Sequence, residues 1–338
     1  MREARFWQPA GEAKVRCGLC PHECVISPGK TGICGQREND GGHLFSRIYA
    51  RVTAAALDPV EKKPLYHFLP GTGVLSLGTV GCNFRCSFCQ NWSISQSEAA
   101  TEELLPEAAV GLALRKRAAG LAYTYNEPMI WLEYVIDTAK LAREKGLANV
   151  LVTNGFVNEA PLAEALPYID ALNIDVKSFE EDFYKKLCGG RLAPVLSRAE
   201  QARRAGAHVE ITYLVIPGFN DRSALYESLA KWMAEKLGAD TPLHFSAHFP
   251  RYRLQAPATT LSTLMAAQAA AKRFLNYVYL GNVIDLPAAS DTLCRSCGAT
   301  LVARRGYEIQ AEGLGPLGQC AKCAAPSPVI VRPRWQKG

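Results

Sequence analysis

The chain has 338 residues and a formal net charge of +6, with 48% hydrophobic and 21% charged residues, as in an ordinary globular protein. This length exceeds that of one hydrophobic core and predicts two or three domains. No apolar run approaches the ~20 residues that would cross a bilayer, and the first residues lack the apolar stretch of a signal peptide. We therefore expect a cytoplasmic protein with no membrane partner. The small positive excess favours a solvated surface over a dedicated site for an anionic partner.

Eleven of the twelve cysteines fall into three tight clusters, which is typical of metal ligation in a reducing compartment rather than of disulfides. The first cluster consists of Cys17, Cys20, Cys24 and Cys34, among proline and glycine turns. Four ligands would close the site, which predicts a structural or electron-relay role rather than catalysis. Zinc and an auxiliary iron–sulfur cluster both fit the spacing, and His22 is an alternative to one thiolate.

A polar stretch with two prolines, residues 58–68, is expected to form a loop or connector that packs against the next domain. The second cluster, Cys82, Cys86 and Cys89, directly follows an apolar run at 74–79 that reads as a strand. Three thiolates can hold three irons of a [4Fe–4S] cluster and leave the fourth open, and an open metal position is one that does chemistry. A zinc site completed by a remote ligand is the alternative.

From residue 74 to about 283, strand-like and helix-like patterns alternate, which predicts a parallel sheet with helical crossovers. The apolar, strand-like runs lie at 74–79, 121–125, 149–153, 171–176, 208–216, 242–248 and 276–283. One helix is expected at 129–145, and another at 258–274 with Thr260 as its N-cap and with Leu261, Leu264 and Met265 facing inward. Six or seven such units are too few for a closed eightfold barrel.

The third cluster contains two Cys-x-x-Cys pairs, Cys294 with Cys297 and Cys320 with Cys323, around a short strand-like stretch. This spacing is typical of a zinc ribbon. The chain accordingly divides into an N-terminal cysteine-rich segment with its connector (1–72), a core (73–287), and a ribbon with a basic tail (288–338).

The motif Cys82-x-x-x-Cys86-x-Phe88-Cys89, following the first strand of a β/α series, resembles the signature of the radical S-adenosylmethionine (radical SAM) superfamily. The resemblance implies a partial (β/α)6 barrel of the TIM type. It also implies that the open iron is chelated by the amine and carboxylate of SAM. Reductive cleavage of SAM would then give methionine and a 5′-deoxyadenosyl radical.

The same resemblance implies cofactor contacts at the carboxyl ends of successive strands. Many radical SAM proteins have Gly-Gly-Glu-Pro after the second strand, where this chain has Tyr125-Asn126-Glu127-Pro128. The glycyl-radical-activating enzymes have similar Thr-Asn-Gly and Asp-x-Lys motifs after the next two strands. The candidate SAM-binding residues are therefore Asn126, Glu127, Thr153, Asn154, Asp175 and Lys177. A surface salt bridge is the alternative for Asp175 and Lys177, and Val152 replaces an aspartate that helps to bind a cation in those enzymes.

Two further candidates come from the later strands. Either His244 or His248 could face the cofactor, since period-two alternation places both on one side, and His248 is kept among the candidate contacts. Cys188 is the one thiol outside the clusters and lies beside a Gly-Gly loop. It is a candidate catalytic or radical-relay residue on the wall of a substrate pocket, although most free cysteines are small buried hydrophobes.

Taken together, the cysteine-rich head, residues 61–68, the stretch 86–92, residues 123–128 and the ribbon resemble the AmmeMemoRadiSam-system radical SAM enzymes, which are often described as pyruvate formate-lyase activating enzyme-like. The resemblance implies an enzyme of oxidoreductase type that abstracts hydrogen from an unidentified substrate and receives electrons from a flavodoxin- or ferredoxin-type donor. A protein or an RNA is the expected class of substrate. The alternatives are a glycyl-radical enzyme activase and a non-enzymatic protein that binds metal or nucleic acid.

Overall fold

The structure is a computed structural model that describes residues 1–283 and 290–336, without the side chain of Arg334. The expected boundary between core and ribbon, at residues 287 and 288, lies outside the described residues. The division of the chain into three parts therefore stays a prediction. Within the described ranges, no helix is both long enough and apolar enough to cross a membrane.

The strands before the central sheet are short, and the later ones form the sheet and then the ribbon. They are β1 (Arg2–Glu3), β2 (Trp7–Pro9), β3 (Val15–Cys17), β4 (Val25–Ile26), β5 (Arg37–Asp40), β6 (His43–Ser46), β7 (Arg51–Val52), β8 (Ala54–Pro59), β9 (Gly73–Gly78), β10 (Glu102–Glu103), β11 (Gly120–Tyr123), β12 (Ala148–Thr153), β13 (Ala171–Asp175), β14 (His208–Val215), β15 (Leu243–Ala247), β16 (Val278–Gly281), β17 (Thr292–Leu293), β18 (Thr300–Arg305) and β19 (Glu308–Gln310).

The central sheet has eight strands in the order β16-β15-β14-β13-β12-β11-β9-β8, and all neighbours are parallel except β8 and β9. The parallel strands are buried on both faces, which explains their continuous apolar runs. Strands β8 and β16 are the two edges, so the sheet is an open partial barrel. The predicted (β/α)6 architecture is confirmed, with β16 as an additional parallel strand.

Helices follow most of the strands, and the longer ones pack against this sheet. They are α1 (Trp92–Ser95), α2 (Pro106–Arg115), α3 (Leu132–Glu144), α4 (Glu159–Ala165), α5 (Glu181–Phe183), α6 (Leu192–Arg204), α7 (Ser223–Lys236) and α8 (Leu261–Lys272), with a π-helical turn at Tyr184–Cys188. In α8, Thr260 is the N-cap as predicted, because its hydroxyl accepts a hydrogen bond from the backbone N–H of Thr263. Leu264 is buried as predicted, whereas Leu261 and Met265 are exposed, contrary to the expectation.

The connector differs from the predicted loop in its first part. Residues Ala54–Pro59 form β8, which pairs antiparallel with β9 and extends the central sheet. Asp58, expected in a loop, is the fifth residue of this strand. Its carboxylate binds the Nζ atoms of Lys62 (2.8 Å) and Lys63 (2.7 Å), so the polar residues of this stretch satisfy one another.

The buried carboxylate of Glu210, near the amino end of β14, binds the rest of the connector at the end of the barrel where the parallel strands begin. This end is called the region beneath the barrel. Its oxygens accept the backbone N–H groups of Tyr66 (3.0 Å) and His67 (2.7 Å) and contact the rings of His208 (2.8 Å) and His244 (2.6 Å). Burial alone would raise the pKa of Glu210, but the hydrogen bonds from the two histidines hold it well below its usual range.

The ribbon, with β17 to β19, docks at this same end of the barrel. The guanidinium of Arg304, 2% exposed, donates to the carbonyl of Tyr66 (2.6 Å) and to the hydroxyl of Thr292 (2.8 Å). The Tyr279 hydroxyl lies 2.8 Å from that Thr292 hydroxyl and 2.6 Å from Nε2 of His67. Ribbon, connector and barrel therefore share one buried polar network.

Candidate functional site

The loop that carries the cysteine triad begins where β9 ends, at the carboxyl edge of the parallel sheet. Gly81, with φ +86°, allows the sharp turn into this loop, and a Cβ there would lie 2.6 Å from the carbonyl oxygen of Cys34. The backbone N–H of Phe84 points at Sγ of Cys82 from 3.4 Å, and Sγ of Cys89 lies 3.2 Å from the hydroxyl of Ser95. Two of the three sulfurs thus already have polar neighbours.

Cys188 lies beside this loop, on the π-helical turn. Its carbonyl accepts the N–H of Arg85 (2.7 Å), and the carbonyl of Leu187 accepts that of Ser87 (3.0 Å). A hydrogen bond to the Cys188 thiol, together with burial, raises the pKa of Cys86 well above its usual value. Cys188 is fully buried and faces the triad, so the structure brings it to the metal site rather than to an open pocket wall.

Tyr125 and Asn126 stand where many radical SAM proteins have two glycines. The contacts of Asn126 connect the end of the second parallel strand to the triad loop. Tyr125 has φ +74°, in the left-handed region that favours glycine. Its hydroxyl donates to Asp58 (2.6 Å), which offsets part of the strain. The Asn126 side chain donates to the carbonyl of Gly81 (2.7 Å) and accepts the N–H of Thr79 (3.2 Å). Both polar groups of Asn126 therefore serve the backbone of the triad loop.

Glu127 joins the ends of β11 and β12. One oxygen accepts the N–H of Met129 (2.9 Å) and the hydroxyl of Thr153 (2.7 Å), and the other accepts the N–H of Asn154 (2.8 Å). The side chain is 2% exposed, and burial raises the pKa of Glu127 to about 7 despite these three hydrogen bonds. The structure thus joins two candidate residues, Glu127 and Thr153, to each other.

Asn154 is aimed at the first cysteine of the triad. Its Nδ2 donates to Oδ1 of Asn83 (2.9 Å) and lies 3.8 Å from Sγ of Cys82, while its Oδ1 accepts the N–H of Phe156 (2.8 Å). Asn83, which the sequence analysis did not single out, also donates to the carbonyl of Phe156 (2.7 Å). Its position directly after Cys82 was the one available signal.

Asp175 and Lys177 form an ion pair at the end of β13, with an N–O distance of 3.0 Å. Burial opposes the charge of Lys177, but Asp175 and the nearby thiols of Cys86 and Cys188 raise its pKa well above the usual value. Asn220, in the turn after β14, donates from its side chain to the carbonyl of Lys177 (2.8 Å) and thereby fixes this strand end.

The two histidines of β15 occupy different places. His244 lies at the amino end of the strand and contacts Glu210, so its ring belongs to the network beneath the barrel. His248 follows the carboxyl end, and its ring is buried with no hydrogen-bond partner on either nitrogen among the described residues. Burying an imidazole whose nitrogens make no hydrogen bond costs folding free energy. Of these two histidines, His248 is the one that could hydrogen-bond a ligand at the carboxyl edge of the sheet.

The other two clusters are gathered as well. Cys294, Cys297, Cys320 and Cys323 have all their sulfurs within 4.8 Å of one another, and two of the pairs are 3.7 Å apart. Such a cluster can hold a metal ion, and 3.7 Å matches the ~3.8 Å that a tetrahedral ion with ~2.3 Å metal–sulfur bonds requires.

The four N-terminal cysteines instead line an enclosed cavity. His22 also lies on its wall, but its Nε2 donates to the carbonyl of Asn83 (2.8 Å). The histidine thus connects this segment to the triad loop.

These residues fit an iron–sulfur cluster with SAM at the triad. Cys82, Cys86 and Cys89 would supply the thiolates, because burial, which raises the pKa of Cys82, is outweighed when a metal binds the sulfur. The ammonium of Lys177 uses one of its three donors on Asp175, so it and the ring of His248 could bind an anionic and polar ligand. The carboxyl edge of the sheet therefore has the donors that such a cofactor pair needs.

Comparisons with known proteins identify the family. The pattern of the radical SAM superfamily matches residues 76–228. The uncharacterized protein MJ0808 of Methanocaldococcus jannaschii is 45% identical over 309 residues, which cover 90% of this chain and 92% of that protein. The pyruvate formate-lyase-activating enzyme of Clostridium pasteurianum is 24% identical over 155 residues, 44% of this chain and 65% of that enzyme.

The fold has a counterpart in a solved structure. SuiB of Streptococcus suis superposes with a TM-score of 0.50 at 13% identity, over 67% of this chain and 52% of SuiB. This likeness concerns the fold alone. The triad after the first parallel strand, the partial barrel and the matched pattern have one common explanation: the chain belongs to the radical SAM superfamily.

Proposed function

We propose that this protein is an enzyme that uses a [4Fe–4S] cluster and SAM to abstract hydrogen from a substrate. Cys82, Cys86 and Cys89 hold the cluster. When bound, the cluster and SAM together supply the reductive cleavage of SAM to methionine and a 5′-deoxyadenosyl radical, and the hard chemistry is that of the cofactors. The reducing electron comes from a flavodoxin- or ferredoxin-type donor, and the substrate is a protein or RNA.

The residues around the triad have distinct roles in this proposal. Lys177 binds the SAM carboxylate, with Asp175 orienting its ammonium, and His248 donates to a polar group of the nucleoside. Glu127, Thr153 and Asn126 act through the backbone, because their side-chain hydrogen bonds are already made to the strand ends and the triad loop. Asn154 places an amide N–H beside Cys82.

The observation that carries the proposal is the convergence of the three cysteines and a half-buried cation, Lys177, on one sheet edge. Lys177 is near enough to Cys86 for the sulfur to raise its pKa, although β9 and β13 are separated in the sheet by β11 and β12. In parallel α/β sheets this edge is where ligands bind.

The test is product formation by anaerobically reconstituted protein with SAM and dithionite. We expect 5′-deoxyadenosine and methionine in the wild type and neither in Cys86→Ala, which also loses its cluster. Cys323→Ala, in the exposed part of the ribbon, is the matched control and keeps both cluster and product. Product from Cys86→Ala would refute the assignment, and its absence from a wild type with an intact cluster would favour a non-enzymatic metal- or nucleic-acid-binding protein.

A second candidate function is the activation of a glycyl-radical enzyme, which the similarity to the Clostridium pasteurianum enzyme supports. The matched residues span slightly less than two thirds of that relative. The activase function predicts an electron paramagnetic resonance doublet of a glycyl radical when the protein is incubated with SAM and a glycyl-radical enzyme from the same organism. A genome without any such partner would remove this candidate.

A further inference from the structure

The N-terminal cysteines differ from the ribbon in the space that they enclose. The cavity between Cys17, Cys20, Cys24 and Cys34 has room for a water-sized sphere, with about 10 Å³ open to the centre of that sphere. Four sulfurs that each lie ~2.3 Å from one central ion leave no such room. The four side chains therefore line an open space, rather than all lying within 4.8 Å of one another as those of the ribbon do.

The spacing of the sulfurs agrees with this difference. Among the residues that the structure describes, the ribbon is the one group of potential ligands whose atoms all lie within 4.8 Å of one another. Any three sulfurs of the N-terminal set consequently include a pair that is farther apart. A [4Fe–4S] cube requires such a spread, because each thiolate binds a different iron at a different corner.

The rest of the wall also suits an all-thiolate cluster. Leu19, Ile26 and Ile130 are buried apolar side chains on the cavity. The one full charge, Arg37, is already neutralised by Glu133 through two hydrogen bonds of 2.8 and 2.9 Å, and both side chains are almost fully buried. His22 also lies on this wall and donates from Nε2 to the carbonyl of Asn83, but the four thiolates alone supply the ligands that a cube needs.

We infer that the N-terminal segment binds a second [4Fe–4S] cluster, ligated by Cys17, Cys20, Cys24 and Cys34, beside the triad. Four thiolates leave no iron open, so this cluster cannot bind SAM and carries only electrons. It accepts one electron from a ferredoxin-type donor and gives one electron to the cluster at the triad. The N-terminal cysteine loop and the triad loop are in direct contact. The carbonyl of Cys34 lies against Gly81, and His22 donates a hydrogen bond to the carbonyl of Asn83.

The experiment counts metals in anaerobically reconstituted protein and does not depend on SAM cleavage. The wild type should contain about eight irons, and the triple variant Cys82→Ala/Cys86→Ala/Cys89→Ala should keep about four with visible sulfur-to-iron absorption. In both proteins the ribbon should retain about one zinc. Cys20→Ala/Cys24→Ala should keep the triad's four irons, and Cys297→Ala should lose zinc without losing iron.

A triple variant without iron would overturn the inference, whether zinc takes the place of iron or not. If that variant fails to fold, as judged by circular dichroism and by its ribbon zinc, the wild type decides the question. About eight irons per zinc support the inference, and about four irons with two zincs refute it. Failure of SAM cleavage would leave these counts unchanged, and failure of the triad to bind a cluster would still leave about four irons in the triple variant.

Discussion

The hydroxyl of Thr153 donates a 2.7 Å hydrogen bond to Oε1 of Glu127, so two residues expected to contact the cofactor bind each other across adjacent strands. The same hydroxyl accepts the N–H of Gly155 (3.0 Å). The Thr153–Glu127 hydrogen bond fixes the end of β12 relative to β11. It also means that a neutral hydroxyl supplies one of the hydrogen bonds that stabilise the buried carboxylate of Glu127.

Thr153→Val should lower the free energy of unfolding by about 1–3 kcal/mol, because a buried carboxylate oxygen loses a donor. Urea denaturation measures this loss. Thr241→Val is the control, since its buried hydroxyl donates only to the carbonyl of Leu237 and its loss should cost about 1 kcal/mol. Equal losses in the two variants would contradict a special role for the Thr153–Glu127 bond.

Asn154→Ala should make the reduction potential of the triad cluster more negative. Hydrogen bonds to cluster sulfurs stabilise the more negative reduced state, and this variant removes an amide N–H directed at Cys82. A redox titration followed by electron paramagnetic resonance measures the shift. Asn173→Ala removes another buried asparagine, one that binds Pro64 and Thr212, and should leave the potential unchanged.

Lys177→Met should weaken SAM binding by about tenfold, the effect of losing one charge-assisted hydrogen bond of about 1.5 kcal/mol, while the iron content stays constant. Equilibrium dialysis with labelled SAM measures the affinity. Lys186→Met is the matched control, because that lysine forms an exposed pair with Asp182 on the neighbouring turn. Unchanged affinity in Lys177→Met would show that the Asp175–Lys177 pair is a structural salt bridge.

The network beneath the barrel should make stability fall in mild acid. Burial lowers the pKa of His67 to about 3, from about 6.5 in the unfolded chain. Between these values the unfolded state binds the extra proton, so the free energy of unfolding decreases by up to about 1.4 kcal/mol per pH unit as the pH falls. His67→Leu should flatten this dependence, whereas the exposed His43→Leu should not; equal slopes in the two variants would contradict the assignment.

Zinc removal should open the ribbon and leave the triad loaded. Chelation should increase amide hydrogen exchange in β18 by about 100-fold or more, because structural zinc supplies much of the folding free energy of such modules. Exchange in β9 and the iron content should change little. Mass spectrometry of both segments measures this. Concerted opening of β9 would mean that the contacts of Arg304 with Tyr66 bind the ribbon and barrel into one cooperative unit.

The fold was predictable where the signal is local. Each apolar run between residues 74 and 283 became a parallel strand, since these strands are buried on both faces and their pattern needs no knowledge of the neighbours. The prediction of the inward face of α8 was partly wrong. This helix buries small residues such as Ala267 and Ala271, whereas Leu261 and Met265 are exposed to solvent. Hydrophobicity alone does not identify the face that packs.

The site was predictable in its residue types but not in its pairings. The triad and the strand-end motifs were visible in the sequence. The proximity of Cys188 to Cys86 was not visible in the sequence, because it depends on a π-helical turn about a hundred residues after the triad. The hydrogen bond between Tyr125 and Asp58 was likewise not predictable, because it depends on the antiparallel pairing of β8 with β9.

Gly81 gives the molecule a property that belongs to neither cysteine loop alone. Gly81 has φ +86°, and a Cβ there would lie 2.6 Å from both the carbonyl oxygen of Cys34 and Cγ of Gln36, so the triad loop packs directly against the N-terminal cysteine loop. A shift that accompanies iron insertion or oxidative loss at one loop is therefore transmitted directly to the other. Loss of the cluster at one loop should therefore perturb the spectrum of a cluster at the other loop while leaving its iron in place.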